Sequence, residues 1–339
     1  MNKTQPFLIL MRSVTAALCL FAIAQPALAQ DAAKVPRKDL ALKGDAVCTR
    51  CHGVDDEYPV LAIGQTKHGT VADKRTPTCT SCHGASETHI NRPADAKERP
   101  KPTITYGLPP PRQDAKQVDV YFGVAGKKTD TPAADRNAAC LTCHQGGKRT
   151  HWETSLHASR DTTCTSCHQI HTAHDKVRDK RDQAQVCYTC HKEQRAQNQR
   201  PSRHPIPEGK MTCSDCHNPH GSAGTKNMVR DSVNETCYTC HMEKRGPFVR
   251  SHQPVQEDCS ICHNPHGTTT PNLLKARPPF LCQECHEPTG HRGGPGIFTT
   301  PGTSTSSANL VARGCVNCHT NIHGTNNPTS ASGGRSLRR

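Results

Sequence analysis

Twenty of the chain's 21 cysteines stand in copies of one five-residue pattern, C-x-x-C-H, repeated ten times. The cysteine pairs are Cys48/Cys51, Cys79/Cys82, Cys140/Cys143, Cys164/Cys167, Cys187/Cys190, Cys213/Cys216, Cys237/Cys240, Cys259/Cys262, Cys282/Cys285 and Cys315/Cys318. The histidines that follow them are His52, His83, His144, His168, His191, His217, His241, His263, His286 and His319. An even cysteine count in an exported chain usually means disulfides. A disulfide, however, has no use for a histidine in the next position, and zinc does not require one there every time. Ten such histidines out of ten specify covalent attachment of c-type haem.

The pattern does defined chemistry. Two cysteines three positions apart reach the two vinyl groups on one edge of a porphyrin and form thioethers, and the adjacent histidine lies under the iron as its proximal ligand. The cofactor is then not lost to solvent, and no thiol in the motifs remains to misoxidise.

The haems also explain a composition that otherwise reads as disorder. Only 33% of residues are hydrophobic and 4% aromatic, with a mean hydropathy of −0.73, too little apolar surface to offset chain entropy. Residues 1–29 are expected to be a cleaved signal peptide. Lys3 and Arg12 form its positive end, SVTAALCLFAIA its apolar centre and Ala27-Leu28-Ala29 its cleavage site. The apolar run is short for a membrane span, and bulky Leu18 before Cys19 argues against a lipoprotein. Once those 29 are removed, 310 of the 339 residues remain for ten haems. The porphyrins themselves are the missing core, and the apo-chain is expected to be unfolded, as small metal-dependent domains are. The formal charge of +14, or +12 without Lys3 and Arg12, is a match for haem propionates. Ten ferric haems with ionised propionates add roughly −10. That balance excludes nucleic acid as the expected partner.

Each iron has a second axial position. Of 22 histidines, ten are proximal and twelve remain. Only Met211, Met228 and Met242 lie beyond the leader, too few to serve most irons. Taking the motifs two at a time gives five pairs, an internal repeat. Each pair has one histidine upstream of its second motif (His68, His157, His204, His252, His291) and one shortly downstream (His89, His171, His220, His266, His323). These ten are the distal candidates; His151 and His174 are surplus surface or propionate-contacting residues. In CHNPH the second histidine cannot easily swing to the far face of its own haem. It is expected to reach a neighbouring one, with Pro219 or Pro265 stiffening the turn. Which histidine serves which iron stays open at this stage.

The expected fold is therefore a multihaem cytochrome c: an elongated, mostly irregular coil with short α-helices wrapped around ten haems, with almost no β. Intervals between motif starts are 31, 61, 24, 23, 26, 24, 22, 23 and 33 residues. Residues 30–139 carry haems 1 and 2 and a Pro-rich linker or wrapping arm (90–139). Residues 140–286 carry the closely spaced haems 3–9. Residues 287–339 hold a Gly/Ser/Thr-rich loop, haem 10 and a mobile basic tail. Helical turns are expected at 191–197 and 241–245, and a short strand at 119–124.

CTRCH followed by KHG and TPTCTSCHG, then CSDCHNPHGS, CYTCHMEKRGP, CHNPHG and the closing CVNCH with NIHG resemble the MtrA/DmsE/PioA family of periplasmic decahaem cytochromes. The likeness covers nearly all of the mature chain. It implies a periplasmic electron carrier inserted into an outer-membrane β-barrel porin. Such a carrier relays electrons between a periplasmic or inner-membrane cytochrome and an extracellular multihaem cytochrome or terminal reductase, for extracellular respiration or iron oxidation. Ten haems in a row would exceed the bilayer's thickness of about 40–45 Å, and a polar haem-filled chain needs a barrel to sheathe it from lipid.

Two alternatives belong to other classes. A multihaem reductase needs an iron with an open position, often marked by a variant C-x-x-C-K motif, and none occurs in the sequence. A soluble periplasmic electron shuttle would use the same haems without a barrel. The expectation is an electron-transfer protein rather than an enzyme.

Overall fold

The computed structural model describes residues 45–53, 56, 58–69, 75–107, 131–286, 315–317, 319–327 and 337. They all fall in one of the two compact units of the chain, Lys38–Arg339. The expected leader, the strand at 119–124, His291, Cys318, the whole of the loop 287–314 and most of the tail lie outside the described residues.

Helices are short everywhere, because the motifs recur too often to leave room for long ones. The longest among the described residues, Ala133–Leu141, has nine residues. None is long and apolar enough to cross a membrane. Strands are absent among the described residues. Isolated bridges such as Ser202–Thr268, His217–Met228 and Arg250–Thr325 stitch distant segments together instead. The fold is mostly coil with short helices, as expected for a multihaem cytochrome c.

Odd and even motifs sit differently on their helices. Before an odd motif the helix runs into the first cysteine, as in Ala133–Leu141, Gln183–Tyr188 and Val233–Cys237. At an even motif the helix begins at that cysteine, as in Cys79–His83, Cys164–Ser166, Cys213–Cys216 and Cys259–Ile261. The sequence dictates this locally. Thr78, Thr163 and Thr212 precede the even motifs and form capping boxes with Ser81, Ser166 and Asp215. Asp258 accepts from the Ser260 amide in the same role. In both settings the motif closes one turn. The histidine amide bonds back to the carbonyl of the first cysteine, for example His144 to Cys140 at 3.0 Å and His286 to Cys282 at 2.8 Å. Residues three apart share a helix face, so this turn presents both sulfurs along one edge.

The helical turns expected at 191–197 and 241–245 are the α-helix Lys192–Gln197 and the 3-10 turn Met242–Lys244. Of the stretch expected as a linker or arm (90–139), residues 108–130 lie outside the described residues. Residues 100–106 wrap the second motif, with the Ile104 amide on the His83 carbonyl at 3.0 Å and the Tyr106 hydroxyl on the Cys82 carbonyl at 3.0 Å. Its far end becomes the helix that delivers Cys140.

The side-chain core is thin. Six apolar residues are buried among those described: Trp152, Ala184, Val186, Tyr188, Ile206 and Met228. Ala184, Tyr188 and Ile206 make one cluster, edged by Met211 and Cys213. Among the described residues the one large side chain sealed completely is polar: Asn198, which donates to the Tyr188 hydroxyl at 2.7 Å. Such a core does not hold a chain of this size together.

Candidate haem-binding sites

The motifs are joined in chain order. Within each pair the two first cysteines are near enough to act on each other's thiols: Cys48 and Cys79, Cys140 and Cys164, Cys187 and Cys213, Cys237 and Cys259, and Cys282 and Cys315. Between pairs the second cysteines feel cysteines of the next motif through their charge: Cys82 feels Cys140 and Cys143, Cys167 feels Cys190, Cys216 feels Cys240, and Cys262 feels Cys285. Burial and these neighbours push the Cys82 thiol up to about 11.

Cys51 is exposed, as are the second cysteines of the other odd motifs, Cys143, Cys190, Cys240 and Cys285. Its local turn is that of the other motifs, with the Cys51 amide on the Cys48 carbonyl at 3.1 Å.

A residue that sequence reasoning missed braces each of the first four pairs. Three or four positions before the odd motif, a polar side chain reaches across to the start of the even one. Asp45 accepts from the Cys79 amide at 2.8 Å, Asn137 from Cys164 at 2.9 Å, Gln183 from Ser214 at 3.0 Å and Asn234 from Cys259 at 2.7 Å. Asp45, Asn137 and Asn234 are buried. The signal was present in DAVC, NAAC, QAQVC and NETC, but a side chain bonding a residue 25 to 34 positions later has no local signature.

The proximal histidines meet histidines from elsewhere in the chain. His52 faces His89 with ring centres 6.1 Å apart, His83 faces His171 at 6.3 Å, and His144 faces His68 at 5.9 Å. His168 faces His220 at 6.1 Å, His191 faces His157 at 6.2 Å, and His217 faces His266 at 6.1 Å. His241 faces His204 at 6.4 Å, His263 faces His323 at 6.1 Å, and His286 faces His252 at 6.0 Å. A metal–imidazole bond is about 2.0–2.1 Å long and a ring nitrogen lies about 1.2 Å from its ring centre, so imidazoles trans on one metal stand about 6.4 Å apart. The angles between ring planes run from 9° in one pair to 75° in another, as expected if rotation about a metal–nitrogen axis is free.

The hydrogen bonds leave the correct nitrogen for a metal. Nδ1 of His83, His89, His157, His171, His204, His217 and His263 donates to a backbone carbonyl at 2.7–3.0 Å. Nε2 remains for a ligand bond, with tautomer and ring direction fixed by the partner. Two of those carbonyls are aimed by unusual backbone: Lys226 and Asn227, and again Asn272 and Leu273, are consecutive left-handed residues. Strain of this kind, of order 1–3 kcal/mol per residue, collects where function needs it. The loops TKNMV and PNLL gave no hint of that role in the sequence. His168 is held by a carboxylate instead, Asp175, at 2.7 Å, and His52 by Asp56 at 3.3 Å.

Burial favours the uncharged form at several of these imidazoles. His83 and His171 are pushed below the ordinary histidine range mainly by desolvation. His220 is pushed down to about 4, first by burial and then by His168 and Arg149. A neutral imidazole is the form that ligates metal.

The remaining expected residues fall as follows. The surplus His174 bonds Asp182 at 3.0 Å on the surface, and His151 is exposed. Met228 is buried and Met242 is exposed. Among the described residues no three His, Cys, Asp or Glu side chains converge to hold a bare ion, whereas structural zinc takes four ligands. Haem fits what is there: paired thiols on one edge, paired imidazoles with a plane's width between them, and little competing core. Buried Nε atoms of Arg136, Arg149 and Arg203 have no hydrogen-bond partner in the protein, and carboxylates such as propionates are their natural complement.

Comparison with known proteins agrees. The family model for the doubled CXXCH motif matches residues 204–246 and 252–291. The model for cytochrome c-type protein NrfB-like matches residues 108–182. The chain is 35% identical over 292 residues to the multiheme cytochrome MtrA of Shewanella baltica (strain OS185), covering 85% of this chain and 80% of that protein. Repeated motif, coil-and-short-helix fold and extended identity together place this chain in the MtrA family of multihaem cytochromes, electron-transfer proteins with covalently bound c-type haem.

Proposed function

We propose that the chain binds ten c-type haems, each between two histidines, and passes electrons along them in chain order. The observation that carries this reading is that nine of the motif histidines each face a histidine from elsewhere in the chain with ring centres 5.9–6.4 Å apart, the separation of two imidazoles on one iron. When bound, each haem takes up and releases one electron at its iron. The protein's part is to hold neighbouring porphyrin edges together, direct the imidazoles and deny the irons other ligands.

The ligand sets follow the facing rings. The proximal histidines His52, His83, His144, His168, His191, His217, His241, His263 and His286 take His89, His171, His68, His220, His157, His266, His204, His323 and His252 as partners. The pattern has a rule. A downstream histidine serves the even haem of the preceding pair, and an upstream one serves the odd haem of the following pair. At the ends the exchange has no neighbour and closes on itself, as His89 does for His52. By the same rule His291 serves His319.

The working site we propose is the periplasm and the outer membrane, with the chain sheathed in a β-barrel porin. Its partners would be a periplasmic or inner-membrane cytochrome on one side and an extracellular cytochrome or terminal reductase on the other. The resemblance to MtrA supports this, and so does the physics: no described helix can span a bilayer, and a polar chain cannot face lipid unsheathed. The test is transfer across a membrane. Detergent extracts should yield the cytochrome together with a barrel protein, and vesicles holding that complex should bleach an enclosed oxidised dye by external dithionite. Loss of transfer on omitting the cytochrome is expected; equal bleaching with the barrel alone would overturn the proposal.

A further inference from the structure

Accepting that His168 and His220 are the axial ligands of one haem, the fourth in chain order, we infer that Asp175 is a positioning residue that sets this haem's potential. The carboxylate makes a step down at that point of the electron path. The Asp175 Oδ2 accepts from His168 Nδ1 at 2.7 Å, and its Oδ1 accepts from the Gln169 amide at 3.2 Å. Both oxygens are thereby fixed, and the Asp175 side chain is 18% exposed.

Other proximal histidines differ in the acceptor. His83, His217 and His263 donate to the carbonyls of Ile104, Lys226 and Asn272 at 2.8–3.0 Å. Those are neutral dipoles. His52 meets Asp56, but at 3.3 Å and with the carboxylate 33% exposed, so the contact is longer and better hydrated. His241 lies 3.8 Å from Glu243, where both side chains are more than half exposed.

A carboxylate at Nδ1 draws the proton toward itself and makes the imidazole a stronger donor to the metal. A ferric haem carries one more positive charge than a ferrous one, so the same carboxylate stabilises the oxidised state through space as well. Both effects act in one direction, lowering the potential. The positive charges of Arg149 and Lys148 act on the distal ligand His220 and oppose the trend, so the contribution of Asp175 is the one that its removal isolates. Removing an outer-shell partner typically costs about 10–100-fold in metal affinity. If that loss falls mainly on the ferric state, the haem's oxidation equilibrium moves about tenfold, or 59 mV for a one-electron couple.

The experiment is a redox titration of the holoprotein followed by visible absorbance and by electron paramagnetic resonance. Asp175→Asn keeps the shape and an oxygen acceptor but removes the charge. The expected result is that the amplitude of one haem moves up by about 59 mV while every haem stays low-spin. Should that variant fail to mature, Asp175→Ser, a smaller neutral acceptor, carries the same expectation. Superimposable titrations would overturn the inference, and so would a high-spin haem, which would make Asp175 merely structural. His220→Ala separates this from the ligand assignment beneath it. One high-spin haem in that variant with silent Asp175 variants refutes the tuning alone, whereas no high-spin haem refutes the ligand pair itself.

Discussion

His157 donates from Nδ1 to the carbonyl oxygen of Pro219, 2.7 Å away and 62 residues later in the chain. His204 repeats this with Pro265 at 2.9 Å and a separation of 61 residues. In both places the residue after the proline is itself a histidine that faces a different proximal ring: His220 faces His168, and His266 faces His217. One tripeptide, Asn-Pro-His, therefore orients one histidine through its carbonyl and sets its own side chain against a different motif histidine. Neighbouring pairs are tied in both directions.

Exchange of this kind predicts where a lost ligand is felt. His266→Ala should leave the haem attached at Cys213 and Cys216 without its distal imidazole, although His266 lies only three residues beyond His263. One haem in the chain should become high-spin and, once reduced, bind one equivalent of carbon monoxide, since a five-coordinate iron accepts an external ligand. The paramagnetic resonance spectrum and a carbon monoxide titration measure this. If the haem at His263 were affected instead, the facing-ring assignment would be wrong.

The glycine after that histidine predicts a stability effect. Gly267 has φ +134°, and a Cβ there would be driven into the carbonyl oxygen of Gln197 in the preceding pair. Gly267→Ala should cost about 2 kcal/mol or more, combining left-handed strain with backbone displacement. For a chain of this size that is a fall in thermal midpoint of about 4 °C or more. Differential scanning calorimetry of the holoprotein checks it, with Gly146→Ala as the control, because a Cβ at Gly146 meets nothing.

How far the sequence foretold the site depends on the range of the interaction. The cysteines and proximal histidines declare themselves because five contiguous residues do the chemistry. The regular placement of the spare histidines gave the candidates, but not the pairing. His171, for instance, faces His83 and donates to Val60, 111 residues away. The carbonyl acceptors are invisible to sequence reading, since any residue supplies a carbonyl. Only the backbone path through Lys226–Asn227 or Asn272–Leu273 aims it. The Asn137 and Asn234 braces were missed for the reverse reason: polar residues in short helices read as solvated, yet both are buried.

Asn234 yields a graded prediction. Its amide donates to the carbonyls of Val255 and Gln256 at 2.9 and 3.0 Å, and its oxygen accepts from the Cys259 amide at 2.7 Å. Asn234→Ala leaves three part-buried backbone groups without this partner and should destabilise the holoprotein by about 1–3 kcal/mol. Asn234→Asp keeps the acceptor but loses both donors, so its cost should be at least as large, since a carboxylate would face two carbonyls. Denaturant unfolding ranks the two. An alanine variant as stable as wild type would remove the brace from the account.

Withholding haem tests the source of the fold itself. The apolar cluster Ala184, Tyr188 and Ile206 buries far too little surface to offset ordering a chain of this length, given about 1–2 kcal/mol of backbone entropy per residue. The short capped helices at the even motifs do not rescue it, because isolated helices under about 12 residues are marginal in water. Chain made without haem attachment, with its thiols kept reduced, should show the circular dichroism of a coil and no cooperative thermal transition. Holoprotein should unfold cooperatively under the same conditions. A cooperative transition in the apo-chain would mean that side chains supply the interior after all, and the histidine pairs would then need another reason to stand about 6 Å apart.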